Sequence, residues 1–306
     1  MDKIIAFFSL ISFLVSCGGT TDNSTFRSFT SEYRVKADYP KAPEKSSPPV
    51  PESTSEPELP PEQKKLHTLT NDFYGISNKG SGWGFVKKKG KEPEIYQSTQ
   101  ELFASYNTYY LDPRRSKKIY LTFDEGYENG YTAVILDTLK EHNVKAAFFI
   151  TGPYLNNEQE LVDRMINEGH IVGNHTVNHP NLHKLSDPQK MADELGNLNS
   201  VFFDRYGINM KYMRPPEGEY SPRLLAVADS LDYKTVFWSF AYKDWDTSSQ
   251  KGTDYAFNQV IPYLHDGAIL LLHAVSKDNA EALGRIITYA KEQGYEFATL
   301  DELENY

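Results

Sequence analysis

Residues 117–151 read KKIYLTFDEGYENGYTAVILDTLKEHNVKAAFFIT, and this stretch decides the fold class. Its opening, KKIYLTF, has the apolar and aromatic content of a buried strand, and KAAFFIT at its end has the same character. Between them, NGYTAVILDTLKEHN has the apolar spacing of an amphipathic helix. A strand, a helix and a second strand in this order predict two parallel strands joined by a helical crossover.

The same alternation continues to the end of the chain. Further strands are predicted at IVGNHT, KYMRPP, KTVFWSF, AILLLHA and YEFATL, and helices at EQELVDRMINEGH, DPQKMADELGNLNSVFFDRYG, SPRLLAVADSLD, TDYAFNQVIPYLHDG and NAEALGRIITYAKEQG. About seven such units without a dinucleotide-type glycine fingerprint favour a barrel over an open sheet. We therefore predict an α/β fold, a distorted (β/α) barrel of about seven parallel strands with outer helices.

Composition and net charge indicate which kinds of binding partner the protein can have. The chain has 306 residues, of which 39% are hydrophobic, so it can bury one substantial core. Its net charge is −10, from 32 basic and 42 acidic residues. This balance excludes nucleic acid as a partner, because binding to a phosphate backbone needs clustered lysine and arginine. A polyanionic wall polymer remains compatible with it.

The first residues, MDKIIAFFSLISFLVSCGG, predict export. A short charged start precedes an apolar run, Ile4 to Val15, that is too short to span a bilayer as a resident helix. The letters LVSC, ending at Cys17, resemble the bacterial lipobox, which implies cleavage before Cys17 and a lipid on its sulfur; the alternative is an ordinary signal peptide with an incidental cysteine. Because Cys17 is the only cysteine, lipidation is favoured. We predict a signal peptide at residues 1–16 and a lipid anchor on the outer face of the bacterial cytoplasmic membrane.

Three further segments follow the signal. Residues 17–66 contain YPKAPEKSSPPVPESTSEPELPPEQKK, a Pro/Glu/Ser-rich composition that predicts a disordered tether reaching on the order of 100 Å. Residues 67–116 predict an N-terminal extension that packs on the barrel through Trp83 and Phe85, with a short helix at STQELFASYNTYYL. Residues 117–306 form the predicted barrel.

Unusual polar residues follow most of the predicted strands. The first, third, fourth, fifth and sixth strands are followed, in order, by Asp124 with Glu125, His175 with His179, Arg214, Asp244 with Trp245, and His273. Functional residues of a parallel barrel collect where strands end, so this set predicts a site on one rim. Each residue also has a structural alternative: Asp-Glu-Gly is a good turn, and His273 fits a core histidine. Arg214 fits a surface ion pair and Asp244 an Asx turn.

The chemistry of the set is coherent. Two imidazoles four positions apart, His175 and His179, can meet on one metal, and an acid as third ligand gives the open site of a catalytic divalent ion. One of the paired acids then binds the ion while the other stays free as a general base. An arginine keeps that base ionised, and a histidine oriented by Asp244 protonates a leaving amine. Together these groups describe the hydrolysis of an amide.

The motifs TFDEG, HTVNH, RPPEG, DW and LLLH, in this order and spacing, resemble the polysaccharide deacetylases of carbohydrate esterase family 4, also called the NodB-homology domain. Within the family, LTFDEGYENGYT, LLHAVSKDNAEAL and the GWGF lead-in look like the delta-lactam-biosynthetic de-N-acetylases of spore formers. The likeness covers roughly residues 71 to 306. It implies metal-dependent removal of the N-acetyl group of N-acetylmuramic acid in peptidoglycan, on the route to the muramic delta-lactam of spore cortex.

The resemblance also implies roles for the catalytic residues. Asp124 takes the place of the family's base, and Arg214 that of the arginine that orients it. His273 matches the general acid, with Asp244 as its partner. The backbone N–H of Glu217 matches the donor that stabilises the oxyanion.

The metal and substrate residues follow in the same way. His175 and His179 match the metal-binding histidines, and zinc is the expected ion. Most of the family has a second Asp where this chain has Glu125; we expect Glu125 to ligate, because a carboxylate beside the base is costly unless an ion compensates it. If Glu125 points away instead, it is a turn residue. Trp245 and Tyr220 are the predicted substrate contacts.

Two other functions remain compatible with these motifs. One is a deacetylase acting on N-acetylglucosamine in peptidoglycan or another β-linked polysaccharide, since the motifs describe the amide and not the sugar. The other is a non-catalytic wall-binding lipoprotein, which the presence of Asp124, His175 and His273 disfavours. In each case a monomer bound to a glycan strand is expected.

Overall fold

The computed structural model describes Leu69 and residues 71–303. The strands of this part are β1 (Ser81–Gly82), β2 (Val86–Lys88), β3 (Lys91–Glu94), β4 (Thr108–Tyr109), β5 (Lys118–Glu125), β6 (Ala147–Ile150), β7 (Ile171–Asn174), β8 (Tyr212–Met213), β9 (Glu219–Tyr220), β10 (Lys234–Val236), β11 (Ala268–His273) and β12 (Glu296–Phe297). The predicted signal peptide, Cys17 and the predicted tether lie outside the described residues.

The α-helices alternate with the strands of the main sheet. They are α1 (Gln97–Ala104), α2 (Thr132–Glu141), α3 (Gly152–Asn157), α4 (Gln159–Asn167), α5 (Pro188–Tyr206), α6 (Pro222–Ser230), α7 (Thr253–Val260) and α8 (Lys277–Glu292). Short 3-10 turns occur at Leu182–Lys184, Pro216–Gly218, Ile261–Tyr263 and Leu300–Leu303. Several helices begin at a side-chain cap with proline in the first turn, as in α5, where Asp187 accepts a hydrogen bond from the N–H of Gln189.

The main sheet is parallel and curls on itself. Its strands follow the order β11, β5, β6, β7, β8, β10, β4, and β12 pairs with the beginning of β5. A parallel bridge between Phe240 and Leu270 links the segment after β10 to β11 and brings the two ends of the sheet together. This arrangement confirms the predicted distorted (β/α) barrel with outer helices.

Strand β5 shows how the sequence builds the two faces of the sheet. Its alternate residues Ile119, Leu121 and Phe123 join the large core under the helices, whereas Tyr120 joins a smaller cluster inside the barrel. Both faces are buried, as expected for a strand in a parallel sheet with helical crossovers. Burial of a side chain such as Phe123 stabilises the fold by about 1.5–3 kcal/mol. Thr122, on the same face as Tyr120, therefore points into the barrel.

The N-terminal extension is part of the sheet as well as a cover for it. The predicted helix at STQELFASYNTYYL ends at Ala104, and Thr108–Tyr109 pairs with β10 as an edge strand. A positive φ of 33° at Asn107 ends the helical path and redirects the chain. Trp83 and Phe85 are buried, which confirms them as packing anchors.

The extension also holds a loop of the barrel. Strand β1 pairs antiparallel with β9, and the backbone N–H of Trp83 donates to the carbonyl of Gly218 at 2.8 Å. The Trp83 ring packs against Phe103 and Phe237, with centroids 5.3 Å from each. The turn Pro216–Gly218 is thus fixed from outside the barrel. Within residues 71–303, the structure contains no helix long and apolar enough to cross a membrane.

Candidate active site

The site is built around Asp124 at the carboxyl end of β5. Its side chain is only 7% exposed and accepts a hydrogen bond from Arg214 Nη1 to Oδ1 at 2.7 Å. Its other oxygen, Oδ2, lies 3.6 Å from His175 Nε2. Because Asp124 lies two residues after Thr122 on the strand, both side chains face into the barrel.

Arg214, which follows β8, is fully buried and fixed in one orientation. Its Nε donates to the carbonyl of Val236 at 2.9 Å, and its Nη2 donates to Thr122 Oγ1 at 2.8 Å. The guanidinium lies over the Phe149 ring, 4.2 Å from the centroid. A buried guanidinium with its donors used in this way can turn only one edge to Asp124. The structure therefore brings the predicted base and its arginine together.

The charge state of Asp124 follows from these contacts. Burial alone would raise the pKa of the carboxyl, but Arg214, His175 and His273 outweigh it and lower the pKa below its ordinary value. Asp124 is thus ionised near neutral pH and able to accept a proton.

His175 and His179 converge in the loop after β7. Their Nε2 atoms lie 3.2 Å apart, and the ring of His175 is only 2% exposed. His175 Nδ1 lies 2.8 Å from the carbonyl of Arg214, so Nδ1 carries the proton and Nε2 presents a lone pair toward His179.

The loop is held in a strained backbone. Thr176 and His179 have positive φ values of 71° and 54°, and for a β-branched threonine this conformation is an outlier. Asn174 Oδ1 accepts from the N–H of Thr176 at 2.9 Å, and Thr176 Oγ1 accepts from the N–H of His179 at 2.9 Å. Asn174 and Thr176 thus aim the two rings at each other. This positioning of the loop was not indicated by the sequence motif, because it depends on hydrogen bonds that only the structure shows.

The donor set of this loop fits a divalent metal. Burial lowers the pKa of His175, and burial with the neighbouring His175 ring lowers the pKa of His179 to about 3, so both imidazoles are neutral ligands at physiological pH. Asp124 Oδ2 is the carboxylate oxygen that lies beside them. No group of three or more potential ligand side chains is already clustered for metal binding within the described residues.

Glu125 is placed away from the histidines. Because strand β5 continues through both acids, Glu125 follows Ile119, Leu121 and Phe123 on the helix-covered face, opposite to Asp124. It is fully buried, and both carboxylate oxygens have no hydrogen-bond partner. The expectation that Glu125 supplies the third metal ligand is not supported by this arrangement.

The neighbours of Glu125 explain its charge. Burial, the nearby Glu128 carboxylate and Asp124 together raise the pKa of Glu125 well above its ordinary value. The surroundings of Glu125 therefore favour its neutral form, whereas those of Asp124 favour the charged form, because the strand separates the two adjacent acids onto two faces.

His273 stands beside the base on the neighbouring strand. In the parallel pairing of β11 with β5, His273 is the register partner of Asp124, so both side chains project from the same face. His273 Nδ1 lies 2.7 Å from Asp244 Oδ1, and the backbone N–H of His273 donates to Asp244 Oδ2 at 2.9 Å. Nε2 is thereby left for the site. Asp244, only 4% exposed, is brought to His273 as predicted.

The acid role of His273 agrees with its charge state. Burial would lower the pKa of the imidazole, but Asp244 and then Asp124 outweigh this effect and raise the pKa above its ordinary value. A lowered pKa at Asp124 and a raised pKa at His273 leave one group ready to accept a proton and the other ready to donate one.

Trp245 and Glu217 lie at the edge of this centre. The Trp245 ring makes an edge contact with His273, with centroids 5.5 Å apart, and it remains partly exposed. Glu217 has a positive φ of 59° in the turn that Trp83 holds. A non-glycine residue in this conformation is strained, as backbone groups at functional sites often are.

The position of Tyr220 differs from the predicted substrate contact. The side chain is only 5% exposed and packs edge-on against Phe103 and Phe237, with centroids 5.3 Å from each. Burial raises the pKa of its hydroxyl. Because Phe103 of helix α1 packs on this ring, Tyr220 is a core residue that joins the extension to the barrel, and its burial does not support the expected substrate contact.

Comparisons with known proteins agree with this geometry. The family described as polysaccharide deacetylase matches residues 112–236. The peptidoglycan-N-acetylmuramic acid deacetylase PdaA of Bacillus subtilis is 43% identical over 230 residues, which are 74% of this chain and 87% of that protein. Its solved structure, described as a family 4 carbohydrate esterase, has a TM-score of 0.72 at 42% identity and covers 75% of this chain and 98% of that one. The peptidoglycan-N-acetylglucosamine deacetylase PgdA of Listeria monocytogenes is 33% identical over 243 residues, 79% of this chain and 47% of that protein.

Proposed function

Because this chain belongs to the polysaccharide deacetylases of carbohydrate esterase family 4, we propose that it removes the N-acetyl group of N-acetylmuramic acid in peptidoglycan. The observation that carries the proposal is that Asp124, held by Arg214, is the register partner of His273, held by Asp244, on adjacent strands of one barrel. The likeness to a muramic acid deacetylase over most of both chains selects the sugar.

The proton transfers follow from the two carboxylates and the imidazole. Asp124, held by Arg214, accepts the proton of the water that attacks the acetyl carbon. His273, oriented by Asp244 through Nδ1, donates the proton on Nε2 to the sugar nitrogen as the carbon–nitrogen bond breaks. Acetate and a free amine are the products. General acid and base steps of this kind each contribute about 10² to 10⁴ in rate.

His175 and His179 are the residues that would hold a divalent ion, with zinc favoured by two neutral imidazoles. Bound there, the ion would act as a Lewis acid on the acetyl oxygen and lower the pKa of water. The N–H of Glu217, presented by its strained turn, is the proposed donor to the oxyanion. The exposed part of Trp245 offers an apolar face for the sugar ring.

The N-terminal segments give the proposed location. The signal peptide exports the chain, the lipid on Cys17 anchors it outside the cytoplasmic membrane, and the tether lets a monomer reach the wall. Palmitate labelling tests the anchor: the wild type should carry the label and Cys17→Ala should not. An unlabelled wild-type protein would remove the anchor from the proposal. Formation of muramic delta-lactam in spore cortex is the corresponding biological role.

Deacetylation of N-acetylglucosamine is the second candidate, because PgdA is 33% identical over 79% of this chain. The two candidates are separated by acetate release from intact peptidoglycan, from peptidoglycan stripped of stem peptides by an amidase, and from N-acetylglucosamine oligomers. We expect release from the stripped glycan and none from the oligomers. Release from the oligomers at an equal or higher rate would favour the second candidate.

A further inference from the structure

We infer that Asn279 is a positioning residue that fixes the carboxylate of Asp244 and, through it, the ring of His273. The inference rests on the proposed function, in which His273 is the general acid. Asn279 lies in the first turn of helix α8 and is only 1% exposed. It is 35 residues from Asp244 in the sequence, and the motifs give it no role.

The contacts of Asn279 are directed at the acid pair. Its Nδ2 donates to Asp244 Oδ2 at 2.6 Å and to the carbonyl of His273 at 3.2 Å. One amide group thus contacts both members of the pair. Hydrogen bonds to a charged group are stronger than those between neutral groups.

Tyr242 sets the orientation of this amide. Its buried hydroxyl bonds to Asn279 Oδ1, and because an amide oxygen only accepts, the hydroxyl must donate. Burial, Asp244 and Asp278 raise the pKa of Tyr242, so the hydroxyl keeps its proton. With Oδ1 occupied by this donor, Nδ2 faces Asp244; a reversed amide would turn an oxygen toward the carboxylate.

Asp244 is fully constrained as a result. Oδ2 accepts from Asn279 Nδ2 and from the backbone N–H of His273, and Oδ1 remains for His273 Nδ1. Without Asn279 the carboxylate could rotate and swing Oδ1 out of the plane of the imidazole. The imidazolium of His273, which donates Nδ1–H to Asp244 and carries its second proton on Nε2, would then be less stabilised.

Helix α8 holds the same loop at a second place. Asp278 Oδ2 accepts from the backbone N–H groups of Lys251 and Gly252, at 2.6 and 2.8 Å, and Gln250 Oε1 accepts from the N–H of Asp278 at 3.0 Å. The loop that carries Asp244 is therefore anchored to the helix that carries Asn279. The first turn of α8 therefore holds both Asp244 and the loop that carries it.

The test compares Asn279→Ala, the isosteric Asn279→Asp and Tyr242→Phe with the wild type on stripped peptidoglycan. We expect kcat to fall ten-fold or more in both Asn279 variants and several-fold in Tyr242→Phe, with KM within two-fold, because the sugar contacts are unchanged. Thr288→Ala, on the exposed side of the same helix, is the control and should match the wild type. Wild-type kcat in Asn279→Asp and Tyr242→Phe would overturn the inference, even if Asn279→Ala does not fold.

A double variant separates positioning from general damage. If Asn279 acts through His273, adding Asn279→Ala to His273→Ala should lower the residual acetate release no further. A multiplicative loss would overturn the inference. Near-wild-type activity of His273→Ala itself would overturn the proposed function, whereas an impaired His273→Ala beside a fully active Asn279→Ala overturns only the role of Asn279.

Discussion

At the scale of single residues, the acid–base pair is defined by which carboxylate each group contacts. Asp124 faces Arg214, and His273 faces Asp244, so the two pKa values move in opposite directions on adjacent strands. Each pairing gives a buried charged group a partner, because Arg214 is fully buried and Asp244 is nearly so. The chemistry and the stability of the rim thus depend on the same contacts.

The pH dependence of Asp244→Asn tests the acid assignment. Asp244 is the largest of the effects that raise the pKa of His273, so replacing it with a neutral amide should lower that pKa. Activity requires protonated His273 and is lost as pH rises through its pKa. The basic limb of kcat/KM should therefore move to lower pH in the variant, together with a fall in kcat. A basic limb that stays in place would assign it to another group.

Glu125→Gln tests the placement of the second acid. The raised pKa of Glu125 means that its contribution to stability is fully present below the unfolded pKa of about 4.3 and is lost as pH rises through the folded pKa. The variant carries no such loss, so its advantage in thermal unfolding temperature should grow from near zero at acid pH to a measurable value at neutral pH. Calorimetric titration with zinc should give the affinity of the wild type within about three-fold. A ten-fold weaker affinity would instead establish Glu125 as a ligand.

At the scale of elements, the N-terminal extension is joined to the turn Pro216–Gly218, which contains Glu217. The carbonyl of Gly218 accepts from Trp83, and a Cβ on Gly218 would lie 2.8 Å from Trp238 Cη2 and 3.4 Å from Trp83 Cβ. Gly218 also has a positive φ of 65°. An added methyl group would therefore displace the turn that presents the N–H of Glu217.

Gly218→Ala should lower activity by more than the strain of an alanine at positive φ alone would cause. We expect kcat to fall ten-fold or more, with a loss of about 1–3 kcal/mol in the free energy of unfolding from strain and overpacking. Gly207→Ala is the matched control: its φ is also 65°, but a Cβ there meets nothing within 4 Å at the end of helix α5. The control should lose stability through φ alone and keep full activity. Equal activity in the two variants would show that the conformation of this turn does not affect catalysis.

The elements also show what the sequence could and could not predict. Alternating apolar strands and amphipathic helices predicted the barrel, because both signals depend on local periodicity. Strand β4 lay hidden inside a helical pattern, since a two-residue edge strand is specified by its pairing with β10 and not by its own composition. The extent of β5 through Glu125 was likewise not visible, although it decides which face that acid occupies.

The sequence predicted those site residues that can be identified by their residue type and by their position at the end of a strand. Asp124, His175, His179, Asp244 and His273 come together because parallel strands end at one rim. Tyr220 was misjudged because the cover that buries it, Phe103, comes from a distant part of the sequence. Asn279 was missed for the same reason, since it is recognised only by its contact with Asp244.

At the scale of the whole molecule, the barrel follows a long polar segment in the sequence and carries the candidate active site at one rim. The fold and the rim are described for residues 71–303, and the proposed location rests on the predicted N-terminal segments, which lie outside the described residues. The central claim is that Asp124 on this barrel initiates the removal of an acetyl group from muramic acid.

Mass spectrometry of stripped peptidoglycan after incubation with wild type and Asp124→Asn tests that claim most directly. The wild type should remove the acetyl group from muramic acid residues and leave N-acetylglucosamine intact, and Asp124→Asn should be slower by at least ~10². The variant should also unfold more easily, because the buried Arg214 loses its counter-charge, so its folded fraction is measured alongside. Muramic acid that keeps its acetyl group with wild type, or is deacetylated equally fast by folded Asp124→Asn, would contradict the account.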